Sequence, residues 1–154
     1  MKFVIEDARG SKKFILFYRD SDYSFDIEPG IKGGGASIMV NDLQLEMTDQ
    51  GEIIYVWGLC PMGHYKKIEV FPKHLQNKAI FAVLESTPQL GVSYRLNPRE
   101  RWPTFINLNE GWICIGNPEL SGRLLIEFAP KCVASMKGEE IVAIWLKPVN
   151  LPIL

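Results

Sequence analysis

Along this chain apolar and polar residues alternate in short runs, and the period is two. Leu43, Leu45 and Met47 alternate with Asp42, Gln44, Glu46 and Thr48, the pattern of a half-buried strand. Asp49-Gln50-Gly51 supplies turn chemistry. Residues 52–57 follow and are apolar on both faces. The two runs predict a hairpin whose second strand is the more central. A slip of one residue would turn Leu43, Leu45 and Met47 into water, so the register is specified.

The C-terminal half repeats the pattern. Val92, Tyr94 and Leu96 alternate with Ser93 and Arg95, and residues 104–107 form a short β-prone run. Asn109-Glu110-Gly111 turns the chain into residues 112–115, and a second turn spans residues 117–122. Leu124, Ile126 and Phe128 alternate with Arg123 and Glu127. Lys137-Gly138 then leads into residues 140–146, apolar on both faces and so expected inside a sheet or between layers. Residues 2–5 and 13–19 open the chain as strands around Arg9-Gly10-Ser11.

Residues 66–85 read two ways. Leu75, Ala79, Ala82 and Val83 fit helical spacing, while Val70-Phe71 and the run 80–84 suit strands. Strands with a short helical turn near residues 72–76 are expected. Closely spaced turn signals without a repeat or linker predict one mostly β domain over residues 1–154. The expected form is an antiparallel meander, sandwich or partly open barrel with at most a short helix.

Composition adds bounds. With 154 residues, 47% hydrophobic and 23% charged, the chain can bury a core without staples. A net charge of −1 argues against a nucleic-acid module, which carries a basic excess. Cys60, Cys114 and Cys132 are odd in number and far apart, unlike a disulfide scaffold. The opening residues reach Glu6 and Asp7 before an apolar core develops, unlike a secretory leader. The longest charge-free stretch, residues 53–65, is too short for a membrane helix. A cytoplasmic protein is expected.

Candidate chemistry is sparse. Residues 30–37 resemble a phosphate loop in glycine spacing, but Ala36 stands where the lysine belongs and a strand follows. Asp20, Asp22, Asp26 and Glu28 crowd one segment with Tyr23, Phe25 and Ile27. A calcium loop counted from Asp20 would need glycine at Phe25 and glutamate at Ile31. An acidic loop is expected instead: either a solvated connection or a docking loop, its acids steering a basic partner and its aromatics anchoring it. Cys60 and His64 lie four residues apart, too few ligands for zinc, and buried structural thiols are expected. Arg95, Arg99 and Arg101 precede Trp102-Pro103, with Glu100 interrupting the run, and read as an exposed loop. No catalytic, cofactor or metal motif is present, and none of these groups is expected.

The layout of residues 55–61, 101–103, 111–116 and 144–148, with Trp, Gly and Pro at strand ends, resembles small bacterial single-domain proteins. Some of these are similar to immunity proteins, which neutralise toxins of competing cells. The resemblance covers residues 40–148 and implies a protein-binding role without assigning active residues. The expectation is a protein-binding module, an immunity protein or inhibitor. It would use Asp20, Asp22, Tyr23, Phe25, Asp26 and Glu28 against a partner with a basic surface. The alternative is a small-molecule binder or enzyme with its pocket in a barrel mouth or between sheets.

Overall fold

Turn residues cut the chain into fourteen short strands in the computed structural model, which describes residues 1–151. They are β1 (Lys2–Asp7), β2 (Ile15–Arg19), β3 (Ser24–Glu28), β4 (Ala36–Val40), β5 (Leu43–Met47), β6 (Ile53–Leu59) and β7 (Tyr65–Lys67). The second half adds β8 (Gln76–Val83), β9 (Ser93–Arg95), β10 (Thr104–Asn107), β11 (Trp112–Gly116), β12 (Leu124–Ala129), β13 (Cys132–Lys137) and β14 (Glu140–Leu146). Eight form one sheet in the order β1-β8-β12-β13-β14-β11-β10-β7, and six form the other in the order β2-β3-β6-β5-β4-β9. Neither closes into a barrel. The mostly β domain expected from the pattern is what forms.

The pairing is mostly antiparallel, as expected; the exceptions are β10–β7, β12–β8 and β4–β9, which run parallel. Each of these pairs is separated by a long stretch of chain, which is what a parallel crossover requires. The helical turn near residues 72–76 is absent, and no helix occurs among the described residues. Pro72 and His74, the latter at φ 57°, sit in an irregular segment that leads into β8. A left-handed residue cannot continue a right-handed helical turn.

Alternation sends one row of each strand into the space between the sheets. Leu16, Phe25, Ile38, Leu45 and Val56 from one sheet meet Phe3, Ile80, Ile113, Ile126 and Ile144 from the other in one continuous core. The eight-stranded sheet has a second apolar face. There Trp112, Cys114, Leu125, Val133, Ala143 and Trp145 form a separate buried cluster. Ile68, Phe71 and Leu75 from the segment between β7 and β8 cover it, with Phe105 and Leu120. The run 140–146 is therefore apolar on both faces because both faces are covered.

One edge of the six-stranded sheet, β2, is closed by the segment after β14. Val149 donates its N–H to Leu16 C=O at 2.9 Å. Asn150 then clamps Tyr18 with its side-chain amide: Tyr18 N–H donates to Oδ1 at 3.1 Å, and Nδ2 donates to Tyr18 C=O at 2.7 Å. The carboxamide thus does what a neighbouring strand would do.

Trp145 is fully buried, and its indole N–H has no hydrogen-bond partner. Trp145→Ala is expected to cost about 3–5 kcal/mol through the cavity it leaves. Trp145→Phe should cost markedly less, because it removes no hydrogen bond. Urea unfolding of the two variants measures the difference. Equal losses would assign the indole N–H a bonding role.

Candidate functional site

The acidic segment is largely a strand. Ser24, Phe25, Asp26, Ile27 and Glu28 make up β3, with Phe25 and Ile27 inside and the polar residues outside, so the expected acidic loop is confined to residues 20–23. Strand spacing of about 3.3 Å per residue separates the acids into two groups. Asp20, Asp22 and Tyr23 sit at the tip of the β2–β3 hairpin, while Asp26 and Glu28 run down the outer face. Phe25 is 1% exposed and packs edge-on against Tyr18, ring centroids 5.1 Å apart. It belongs to the core and offers a partner no surface. Tyr23, at φ 53°, is 61% exposed on the hairpin tip.

The hairpin is held firmly. Tyr18 Oη donates to Cys60 C=O at 2.7 Å, and Cys60 N–H donates to Tyr23 C=O at 2.8 Å. These bonds join β2, the hairpin tip and the end of β6. Arg19 pairs with Asp26 at 3.3 Å and lies over the Phe17 ring at 4.8 Å. Asp26 also accepts from Ile27 N–H at 2.8 Å.

β3 and β6 are paired only at Ser24–Leu59 and Phe25–Gly58. Gly58 has φ 104°, a conformation costly for any residue with a Cβ. Beyond it the strands part, and a groove of about 470 Å³ opens, lined among others by Arg19, Asp22, Asp26, Tyr55, Trp57 and Leu59. Tyr55, Trp57 and Leu59 are the outward row of β6. Trp57 is 40% exposed and Leu59 52%, and Trp57 Nε1 donates to Glu46 on β5 at 2.9 Å. Burial, reinforced by the nearby Glu46 and Asp26 carboxylates, raises the Tyr55 pKa. The outer face of this sheet therefore carries an aromatic row flanked by acids. The sequence reading missed Tyr55, Trp57, Leu59 and Glu46. A run apolar on both faces suggested full burial, and only the register with β5 (Glu46 opposite Tyr55, Gln44 opposite Trp57) brings these groups together.

The other candidates are structural. Cys60, Cys114 and Cys132 are buried and free, and His64 is exposed. Burial pushes the Cys60 thiol up to about 12 and raises those of Cys114 and Cys132 as well. They are therefore protonated thiols rather than nucleophiles. Ser37 is buried in β4 with its hydroxyl on Gln44, so residues 30–37 build no phosphate cradle. Arg101 pairs with Asp42 at 3.0 Å, and Trp102 is half-buried against the Asn41 region. Among the described residues no helix is long and apolar enough to cross a membrane.

No family model matches the chain, and neither a curated protein nor a solved structure matches it.

Tyr18→Phe is expected to cost about 1–3 kcal/mol, the penalty for stranding the buried Cys60 carbonyl, measurable by urea unfolding. A thiol whose proton is retained on folding contributes stability below its ordinary value of 9.0, lost as pH rises from there towards the folded value. Unfolding free energy should therefore hold level up to about pH 9 and fall as pH rises from there towards about 12. A flat profile across that range would place the thiols in contact with water.

Proposed function

We propose that the protein is a binding module that docks a basic partner protein on the outer face of its six-stranded sheet, as an inhibitor or immunity protein would. The observation that carries this reading is the exposed pair Trp57 and Leu59, with half-buried Tyr55 in the same row, set among Asp22, Asp26, Glu28 and Glu46. The matching apolar face on the other sheet is covered by the chain itself. Exposed aromatics ringed by charge are the composition of an interface hot spot, and the acid excess selects a cationic partner such as an enzyme's substrate cleft.

Asp20, Asp22, Asp26 and Glu28 steer the encounter, and Tyr23 at the hairpin tip meets the partner's rim. Trp57 and Leu59 replace Phe25 as anchors. Binding by surface complementarity requires no nucleophile, metal or cofactor. Three protonated, buried thiols support a reducing compartment and so a cytoplasmic setting. The space between the sheets, the alternative pocket, is filled by side chains such as Ile38, Leu45, Val56 and Ile144, none of them exposed.

The test begins with a pull-down from native cells, comparing the parent with a Trp57→Ala, Leu59→Ser variant, followed by binding kinetics of the protein that the variant loses. Replacing Asp20, Asp22, Asp26 and Glu28 by their amides should slow association about tenfold at low salt. The deficit should shrink as ions screen the field. Trp57→Ala alone should act on dissociation, at a cost of about 2 kcal/mol. Unaltered low-salt association of the amide variant would remove the steering role, and unaltered dissociation of Trp57→Ala would remove the docking face.

A further inference from the structure

On the opposite side of the molecule, the segment that covers the eight-stranded sheet leaves a groove of about 490 Å³. It lies where the parallel strands β8 and β12 enter the sheet, with Gln76 opposite Ile126. Its apolar wall includes Val70, Phe71, Leu120, Leu124 and Leu125. Leu125 belongs to the second buried cluster, which holds Trp145, and Phe71 and Leu120 pack against that cluster, so the groove floor is continuous with it.

Two cations converge on that floor. Lys73 Nζ stands 4.6 Å from the centroid of the Phe71 ring. Arg123 follows a tight turn closed by its own N–H on Leu120 C=O at 3.2 Å, with Gly122 at φ 71°. Its Nε is buried and has no hydrogen-bond partner. A buried guanidinium nitrogen left without an acceptor is costly, whereas the arginines at positions 9, 19 and 101 each reach a carboxylate. Glu69 is the acid among the lining residues, and no ion pair joins it to Arg123 or Lys73 among the described residues.

We propose that this groove binds a small amphipathic carboxylate, an acyl or aryl acid. The Arg123 guanidinium would receive the carboxylate side-on through Nε–H and one terminal N–H. The Phe71–Leu120–Leu125 floor would receive the apolar body. The planar fork of arginine matches two carboxylate oxygens. An open apolar groove with a few convergent polar groups is the ordinary form of a small-ligand site. The site shares no residue with the docking face and stands or falls independently of it.

Titration of the purified chain with sodium octanoate, 1-octanol and sodium acetate tests this. The readouts are tryptophan fluorescence and ¹H–¹⁵N shifts, including the Arg123 Nε–H signal. Octanoate should saturate and shift the Arg123 Nε–H together with the amides of Phe71, Leu120 and Leu125. Octanol and acetate should each bind at least about tenfold more weakly, the first lacking the charge and the second the apolar body. Arg123→Met should bring octanoate to the level of octanol. Equal binding of octanoate and octanol by the parent chain would reduce the groove to an apolar cleft and overturn the proposal without any variant. Equal binding of acetate and octanoate would overturn the apolar contact. An unmoved Arg123 Nε–H at saturating octanoate would overturn the assigned anchor.

Discussion

Every sheet has two faces, and an apolar face must be covered. That constraint organises this molecule. Two apolar faces cover one another and make the main core. The third, around Trp145, is covered by Ile68, Phe71 and Leu75 from an irregular segment without secondary structure of its own. The fourth, carrying Tyr55, Trp57 and Leu59, has no such cover. Hydrophobic burial is non-directional and scales with area, so the uncovered row retains an attraction for any surface that fits it. In this molecule fold and proposed function are two results of one shortage of cover.

The strands were legible where alternation was unmixed. Leu43, Leu45 and Met47, and later Leu124, Ile126 and Phe128, showed both their strand and their inward face. β3 was legible too, since Phe25 and Ile27 alternate with Ser24, Asp26 and Glu28. Aspartate is depleted in strands and common in turns, and that tendency drew attention away from the period. β13 shows the opposite difficulty: its small and mixed residues, Cys132 to Lys137, carry no alternation strong enough to mark a strand.

The candidate site was half legible. Asp20, Asp22, Tyr23, Asp26 and Glu28 could be listed from the sequence, but Glu46 and the row Tyr55, Trp57 and Leu59 could not. Residues 52–57 and 140–146 share one signature, apolar on both faces, and meet opposite fates. The difference lies in residues 68–75, which fold back over one sheet and not the other, a long-range choice with no local mark. The Arg123 groove was equally hidden, because nothing near Arg123 in sequence announces that its Nε lacks an acceptor.

The Asn150 clamp on β2 bears on how this molecule behaves in crowded solution. A sheet edge with free backbone groups invites another chain to extend it, and repeated extension is the geometry of fibrils. By occupying the Leu16 and Tyr18 backbone groups, residues 149–150 remove that invitation at one border of the sheet that carries the aromatic row. The sticky face can then be presented without ribbons growing from that border. A chain cut short before Asn150 would expose adhesive surface and an open edge on one sheet, which is the combination that proteins avoid.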